Sequence, residues 1–122
     1  METRHRQMTL RSQEHLRSNN RFRAVQKQGT WGRGDLVSIG ALPNNLHINR
    51  IGIRSQRGIK GGVKRNKARR LCREIYRTHK SDFLSGFDIV VVIKREDPDF
   101  GQLIRDFLKL SKNIGLLPSS NS

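Results

Sequence analysis

A chain of 122 residues with one cysteine suits a single domain and excludes an internal disulfide framework. No apolar run approaches the about 20 residues needed to span a bilayer, and the polar start METRHRQMTLRSQ lacks the apolar stretch of a secretory signal. Lys and Arg number 25 against 10 Asp and Glu, a formal net charge of +15 that calls for a polyanionic partner.

Residues 1–15 are polar, basic and aperiodic, and read as a flexible arm. The first helix is expected to start at Ser18 or Asn19, both good N-caps, and to stop at Gly29. It carries Phe22 and Val25 on one side. GTWGRG reads as a flexible connector. DLVSIGAL (35–42) alternates apolar with small or polar residues, as a half-buried strand does. PNN at 43–45 marks a turn, and LHINRIGIR (46–54) alternates again with a phase slip near Asn49. The two runs predict an antiparallel hairpin, the slip marking a bulge or a new strand.

A glycine-rich cationic loop leads into GGVKRNKARRLCREIYRTHK, residues 61–80. Ala68, Leu71, Cys72, Ile75, Tyr76 and His79 share one helical face. Arg65, Arg69 and Arg73 line a second at i, i+4 and i+8, with Arg70 and Arg77 beside them. Cys72 lies in the apolar series and reads as a buried, inert thiol. GFDIVVVIKRE (86–96) contains five successive apolar residues, the mark of a strand covered on both faces. Asp97 and Pro98 predict an N-cap and first turn for a last helix bearing Phe100, Leu103, Ile104, Phe107 and Leu108, closed by Gly115 and Pro118. The order predicts an α+β sandwich, one sheet with helices packed on it. Residues 16–116 form the expected domain and 117–122 a disordered tail. The chain reads as soluble and cytoplasmic, with no membrane partner.

Charge is localised. Between Arg57 and Lys80 ten bases face one acid, Glu74, whereas from Ser81 onward six acids face five bases. A localised patch is a binding footprint, and arginine suits phosphate because its planar fork makes bidentate contacts. Catalytic chemistry is not visible. A metal-dependent nuclease needs clustered carboxylates, or an acid and a base in reach of each other. Asp97 and Asp99 flank a proline at a helix start, where capping accounts for them, and Asp88 begins a strand. His5, His15, His47 and His79 are scattered, and GIKGG lacks the spacing of a nucleotide-binding loop. The residues describe a binder, with neither catalytic nor metal-ligating groups expected on the protein.

VKRNKARRLCREIYR resembles the basic signature of the bacterial ribonuclease P protein subunit, an Arg-Asn-Arg triplet followed by a basic amphipathic helix. Here the triplet is Arg65-Asn66-Lys67. RFRAVQKQG (21–29), RIGIRSQRGIKGGV and GFDIVVVIKRE resemble the family's first helix, its strand and loop before the triplet, and its late strand, in order. The resemblance implies a ribosomal protein S5 domain 2-like fold, a mostly antiparallel sheet with a left-handed βαβ crossover through the basic helix, against the usual hand. It implies a protein that does not itself break bonds. A catalytic RNA, with Mg²⁺ bound mainly by that RNA, removes the 5′ leader of precursor tRNA. By resemblance, Arg57, Lys60, Lys64, Arg65, Asn66, Lys67, Arg69, Arg70 and Arg73 contact the catalytic RNA, one protein per RNA. Phe22, Arg21 and Lys27 would contact the single-stranded leader, with Phe22 as an aromatic platform.

Three features depart from the family pattern. Gln26 stands where a second aromatic is frequent, Gly40 where the first strand often carries one, and the cations of Arg57-Gly58-Ile59-Lys60-Gly61 are spread apart. Trp31 is a candidate to supply stacking instead. The alternative reading is a structural ribosomal-type RNA-binding protein. A DNA reader is disfavoured, since no helix-turn-helix spacing is evident.

Overall fold

The computed structural model describes residues 10–56 and 62–118. The apolar run predicted to need cover on both faces is its central strand, β4 (Phe87–Ile93). Ile89, Val91 and Ile93 point to one side of the sheet and Val90 and Val92 to the other. Three more strands, β1 (Thr30–Arg33), β2 (Val37–Pro43) and β3 (Arg50–Ser55), complete a sheet of order β1-β2-β4-β3. Helix α1 (Asn19–Gln28) covers one face, while α2 (Gly62–His79) and α3 (Phe100–Asn113) cover the other. The fold is the expected α+β sandwich.

The hairpin expectation fails. β2 pairs antiparallel with β4, β3 pairs parallel with it, and β2 and β3 do not touch. A period of two tells which face a residue takes but not which strand it pairs with. Residues 44–49 step across the start of β4 rather than turning back. Asn44 N–H donates to the Gly86 carbonyl (2.9 Å), Asn49 Nδ2 donates to the Leu84 carbonyl, and Asn49 Oδ1 accepts from Phe87 N–H, both at 2.8 Å. The slip at Asn49 therefore marks where a strand begins, one residue on, with its side chain buried as a staple. GTWGRG is likewise not a connector: Thr30 to Arg33 pair with Ala41 to Ser38 as an edge strand. A four-residue run with a central glycine has little strand propensity of its own, so its partner strand and the Trp31 ring decide its state.

The start of the chain is more ordered than expected from residue 10 onward. Residues 1–9 lie outside the described region. Ser12–Glu14 forms a 3₁₀ turn, Leu16 N–H donates to the Ile51 carbonyl (2.9 Å), and buried Glu14 accepts two 3.0 Å bonds from Lys80 Nζ. The salt bridge joins residues far apart in sequence, which no local pattern reveals. At the other end Leu116 and Leu117 are buried, so the core reaches one residue into the expected tail; residues 119–122 lie outside the description. The last helix is capped by Asp99, which accepts from Gln102 N–H at 3.0 Å, rather than by Asp97. Pro98 precedes the cap, where its fixed φ suits the extended approach to the helix.

The larger core lies between the sheet and the two helices. Tyr76, Phe83 and Phe107 meet edge to face, with centroids 5.1 and 6.5 Å apart, an arrangement that suits ring quadrupoles. Cys72 is fully buried there, and burial pushes its thiol up to about 12 despite nearby Arg73. A thiol reagent should therefore modify Cys72 only as fast as the protein unfolds. Labelling of the native protein at the rate of a free thiol would contradict this packing.

Candidate nucleic-acid interface

Two basic surfaces meet near β3. The first is the outward side of α2. Its apolar residues Ala68, Cys72, Ile75 and Tyr76 seat it on the sheet, so the remaining stripe must face water. Asn66, Lys67, Arg70 and Arg73 are exposed and Arg69 is half-buried. Among the described residues, no carboxylate pairs with Arg69, Arg70 or Arg73; Lys67 lies 3.9 Å from Asp97, an exposed contact of little energy. Glu74, the acid of this helix, pairs with Arg77, whose hydrogen bond holds its carboxyl below the usual range. Arg57 and Lys60 lie outside the described residues, as do the side chains of Lys64 and Arg65.

The second surface is the cleft between α1 and the sheet. Strand register builds its floor in two rows. Trp31, Gly40, Val90 and Gly52 lie across the four strands in one row, and Arg33, Ser38, Val92 and Arg54 in the next. The glycines of the first row let two rings lie on the sheet. A Cβ on Gly52 would come within 2.3 Å of the Phe22 ring, and one on Gly40 within 2.3 Å of the Trp31 indole. An arginine from the second row stands over each ring. Arg54 Cζ is 3.8 Å from the Phe22 centroid, a closed cation–π stack, and Arg33 Cζ is 5.4 Å from the Trp31 centroid. Trp31 Nε1 donates to the Val25 carbonyl (3.0 Å), fixing the indole to α1. Gln26, Trp31, Arg33, Ser38, Gln56, Val92 and Lys94 border an open cavity of about 580 Å³.

The residues expected to meet a leader are placed differently from one another. Phe22 is 8% exposed, its ring enclosed by Gly52 and Arg54. Arg21 is committed to the fold: Nε donates to Asp88 Oδ2 (2.7 Å) and Nη2 to the Pro43 carbonyl (3.2 Å). Lys27 is exposed in the last turn of α1. Half-buried Trp31 holds the position over Gly40, so an aromatic from the edge strand fills the place that Gly40 leaves empty. Arg33, Arg54 and Lys94 are the cations that sequence reasoning missed. A signal existed: an isolated glycine inside a strand marks close approach of another group, and Gly40 and Gly52 both sit in alternating runs. Among the described residues no three His, Cys, Asp or Glu side chains are grouped to hold a metal ion.

The ribonuclease P family model matches residues 10–115. The chain belongs to the ribonuclease P protein family. It is 30% identical over 104 residues to the ribonuclease P protein component of Natranaerobius thermophilus, covering 84% of this chain and 90% of that one. The RNase P protein from Thermotoga maritima superposes with a TM-score of 0.74 at 31% identity, over 83% of this chain and 97% of its own. The Staphylococcus aureus RNase P protein, at 23% identity, shares the fold with a TM-score of 0.78 over 85% of this chain and 97% of its own. The family places this chain as a protein component of ribonuclease P. No helix among the described residues is long and apolar enough to cross a membrane.

Proposed function

We propose that the protein is the non-catalytic, RNA-binding subunit of ribonuclease P, working in the cytoplasm with one catalytic RNA per protein. The carrying observation is the α2 ridge: arginines held outward by an apolar underside, with no described acid of the chain pairing Arg69, Arg70 or Arg73. Such a ridge suits the phosphates of a folded RNA. The α1–sheet cleft suits a single strand, the 5′ leader of precursor tRNA, with cations at its two sides and a ring in its floor. Family resemblance gives Mg²⁺ to the RNA, in keeping with a chain whose described residues group no three His, Cys, Asp or Glu side chains.

Purified alone, the protein should leave precursor tRNA intact; with the cognate catalytic RNA it should restore cleavage at low Mg²⁺. Failure of equimolar protein to stimulate that RNA would count decisively against the reading. A structural ribosomal-type role predicts instead that RNA recovered with the protein is rRNA, not one catalytic RNA and tRNA precursors. The ridge makes a quantitative prediction. Arg73→Ala, exposed and outside the core, should weaken assembly with the RNA and reduce the slope of log K against log salt by about 0.9. Binding weakened with an unchanged slope would show that Arg73 contacts no phosphate.

A further inference from the structure

β3 is an edge strand, and the described residues cover only part of its outer edge. Gln56 N–H donates inward to the Ile93 carbonyl of β4 (2.7 Å), whereas the Ile51 carbonyl faces outward and accepts from Leu16 N–H. Main-chain groups alternate in direction along a strand in a parallel pair. Ile53 and Ser55 therefore direct theirs outward like Ile51, beyond the point where residues 15–16 leave the edge. An uncovered strand edge is a hazard unless something meets it.

A groove of about 670 Å³ runs along this edge, between the segment before α1 and the side of α2. His15, Arg17, Arg54, Arg69 and Arg73 line it, and no described acidic side chain does. Two of its side-chain atoms, Ser55 Oγ and Arg69 Nε, are buried without a hydrogen-bond partner among the described residues. A buried polar group without a partner calls for an explanation, and a ligand seated in the groove is one. Burial first, then the charges of Arg17 and Arg73, hold the His15 imidazole below its ordinary value, against the opposite pull of Glu14. The groove is thus a positive concavity with donors along one wall. It shares Phe22, Gly52 and Arg54 with the sheet cleft and Arg69 and Arg73 with the α2 ridge.

We propose that the groove along the free edge of β3, walled by His15, Arg17, Arg54, Ser55, Arg69 and Arg73, is an anion site that grips the phosphodiester backbone of an RNA strand passing between the sheet cleft and α2. Only the identity of the anion as RNA rests on the ribonuclease P reading. The strand's phosphates meet the guanidinium groups, a short adjustment of the Arg69 and Ser55 side chains brings their unmatched donors to it, and outward amides of β3 provide further donors. An extended peptide, the other ligand of an open strand edge, would have to bring acids to match this lining.

The full-length protein, titrated with pentauridylate, should show amide shifts and slowed exchange at Ile53 and Ser55, and the titration midpoint of His15 should move upward as an anion enters its field. Arg17→Gln should reduce the salt slope of that binding by about 0.7. Binding that leaves Ile53, Ser55 and His15 unchanged overturns the proposal. An equal footprint from inorganic sulfate or penta-glutamate at matched charge overturns the assignment of the anion to an RNA strand, since neither is one. In the reconstituted holoenzyme, a KM rise of Arg17→Gln confined to precursors carrying a leader identifies the leader as the strand. A defect in assembly identifies the catalytic RNA, and no effect on either rejects both. Cleavage stimulated normally by a protein with no groove footprint removes this site alone. A footprint without stimulation removes the ribonuclease P reading alone.

Discussion

Asp88→Asn is expected to destabilise the protein by about 3 kcal/mol at neutral pH, the range for removing one partner of a buried ion pair. Asp88 is fully buried at the start of β4. Arg50 binds it in a fork, Nε to Oδ1 at 2.7 Å and Nη2 to Oδ2 at 2.8 Å; Arg21 adds a 2.7 Å bond and Asn44 one of 3.0 Å. One carboxylate thereby ties together α1, the 44–49 crossing, β3 and β4. Asparagine keeps the shape but leaves two guanidinium groups without their counter-charge. The two arginines retain 32% and 27% of their side-chain exposure, which keeps the cost at the lower end. Burial alone would raise the Asp88 pKa, but hydrogen bonds from Arg50, Asn44 and Arg21 outweigh it and hold the carboxyl below its ordinary value. A depressed native pKa gives stability that is whole above the unfolded carboxylate value of about 3.9 and is lost as pH falls through it toward the native value. The gap between wild type and Asp88→Asn, read from denaturant unfolding, should therefore be full at pH 7 and shrink at about pH 3. A gap that stays constant between those conditions would show that the ionised carboxylate is not what the network requires.

How much of this was legible in the sequence depends on whether a feature is local. The α2 ridge and underside are both periodic in one helix, so Ala68, Cys72 and Ile75 against Arg69, Arg70 and Arg73 can be separated by counting. The β4 run announces a central strand by its length and branching. What escapes is pairing. Nothing in 37–43 or 50–55 says that both will flank β4, because the decision is taken by the Asn44 and Asn49 side chains bonding across the start of a strand 44 and 38 residues later. The cleft escapes for the same reason. Each of its strands gives two residues, and the row Trp31–Gly40–Val90–Gly52 exists only once the register does. Arg21 shows the converse hazard: on sequence it is one more cation on a leader-facing helix, and in the fold its guanidinium is spent on Asp88 and the Pro43 carbonyl.

Gly52→Ala should be the substitution of one methyl group with the largest effect on the cleft. The added Cβ would meet Phe22 Cζ at 2.3 Å and Cε1 at 2.8 Å, distances no carbon pair tolerates. The ring cannot sink, since the sheet lies beneath it, so it must lift and carry Arg54 from its 3.8 Å stack. Overpacking of this kind costs typically 1–3 kcal/mol. We expect about 2 kcal/mol here, because α1 is anchored at its start by Arg21 and yields only along its length. The functional consequence follows from where Arg54 stands, at the end of the row Arg33–Ser38–Val92–Arg54. With that guanidinium displaced, the reconstituted enzyme should show a raised KM for precursor tRNA bearing a leader and little change for a substrate without one. Phe22→Leu introduced beside Gly52→Ala removes the ring atoms that collide, so the double variant should regain stability relative to Gly52→Ala alone even though Phe22→Leu by itself is destabilising. The sign of that coupling is the test. Additive losses would mean that Phe22 does not rest on Gly52, and with it would go the geometry that places a guanidinium over a ring at the edge of the cleft.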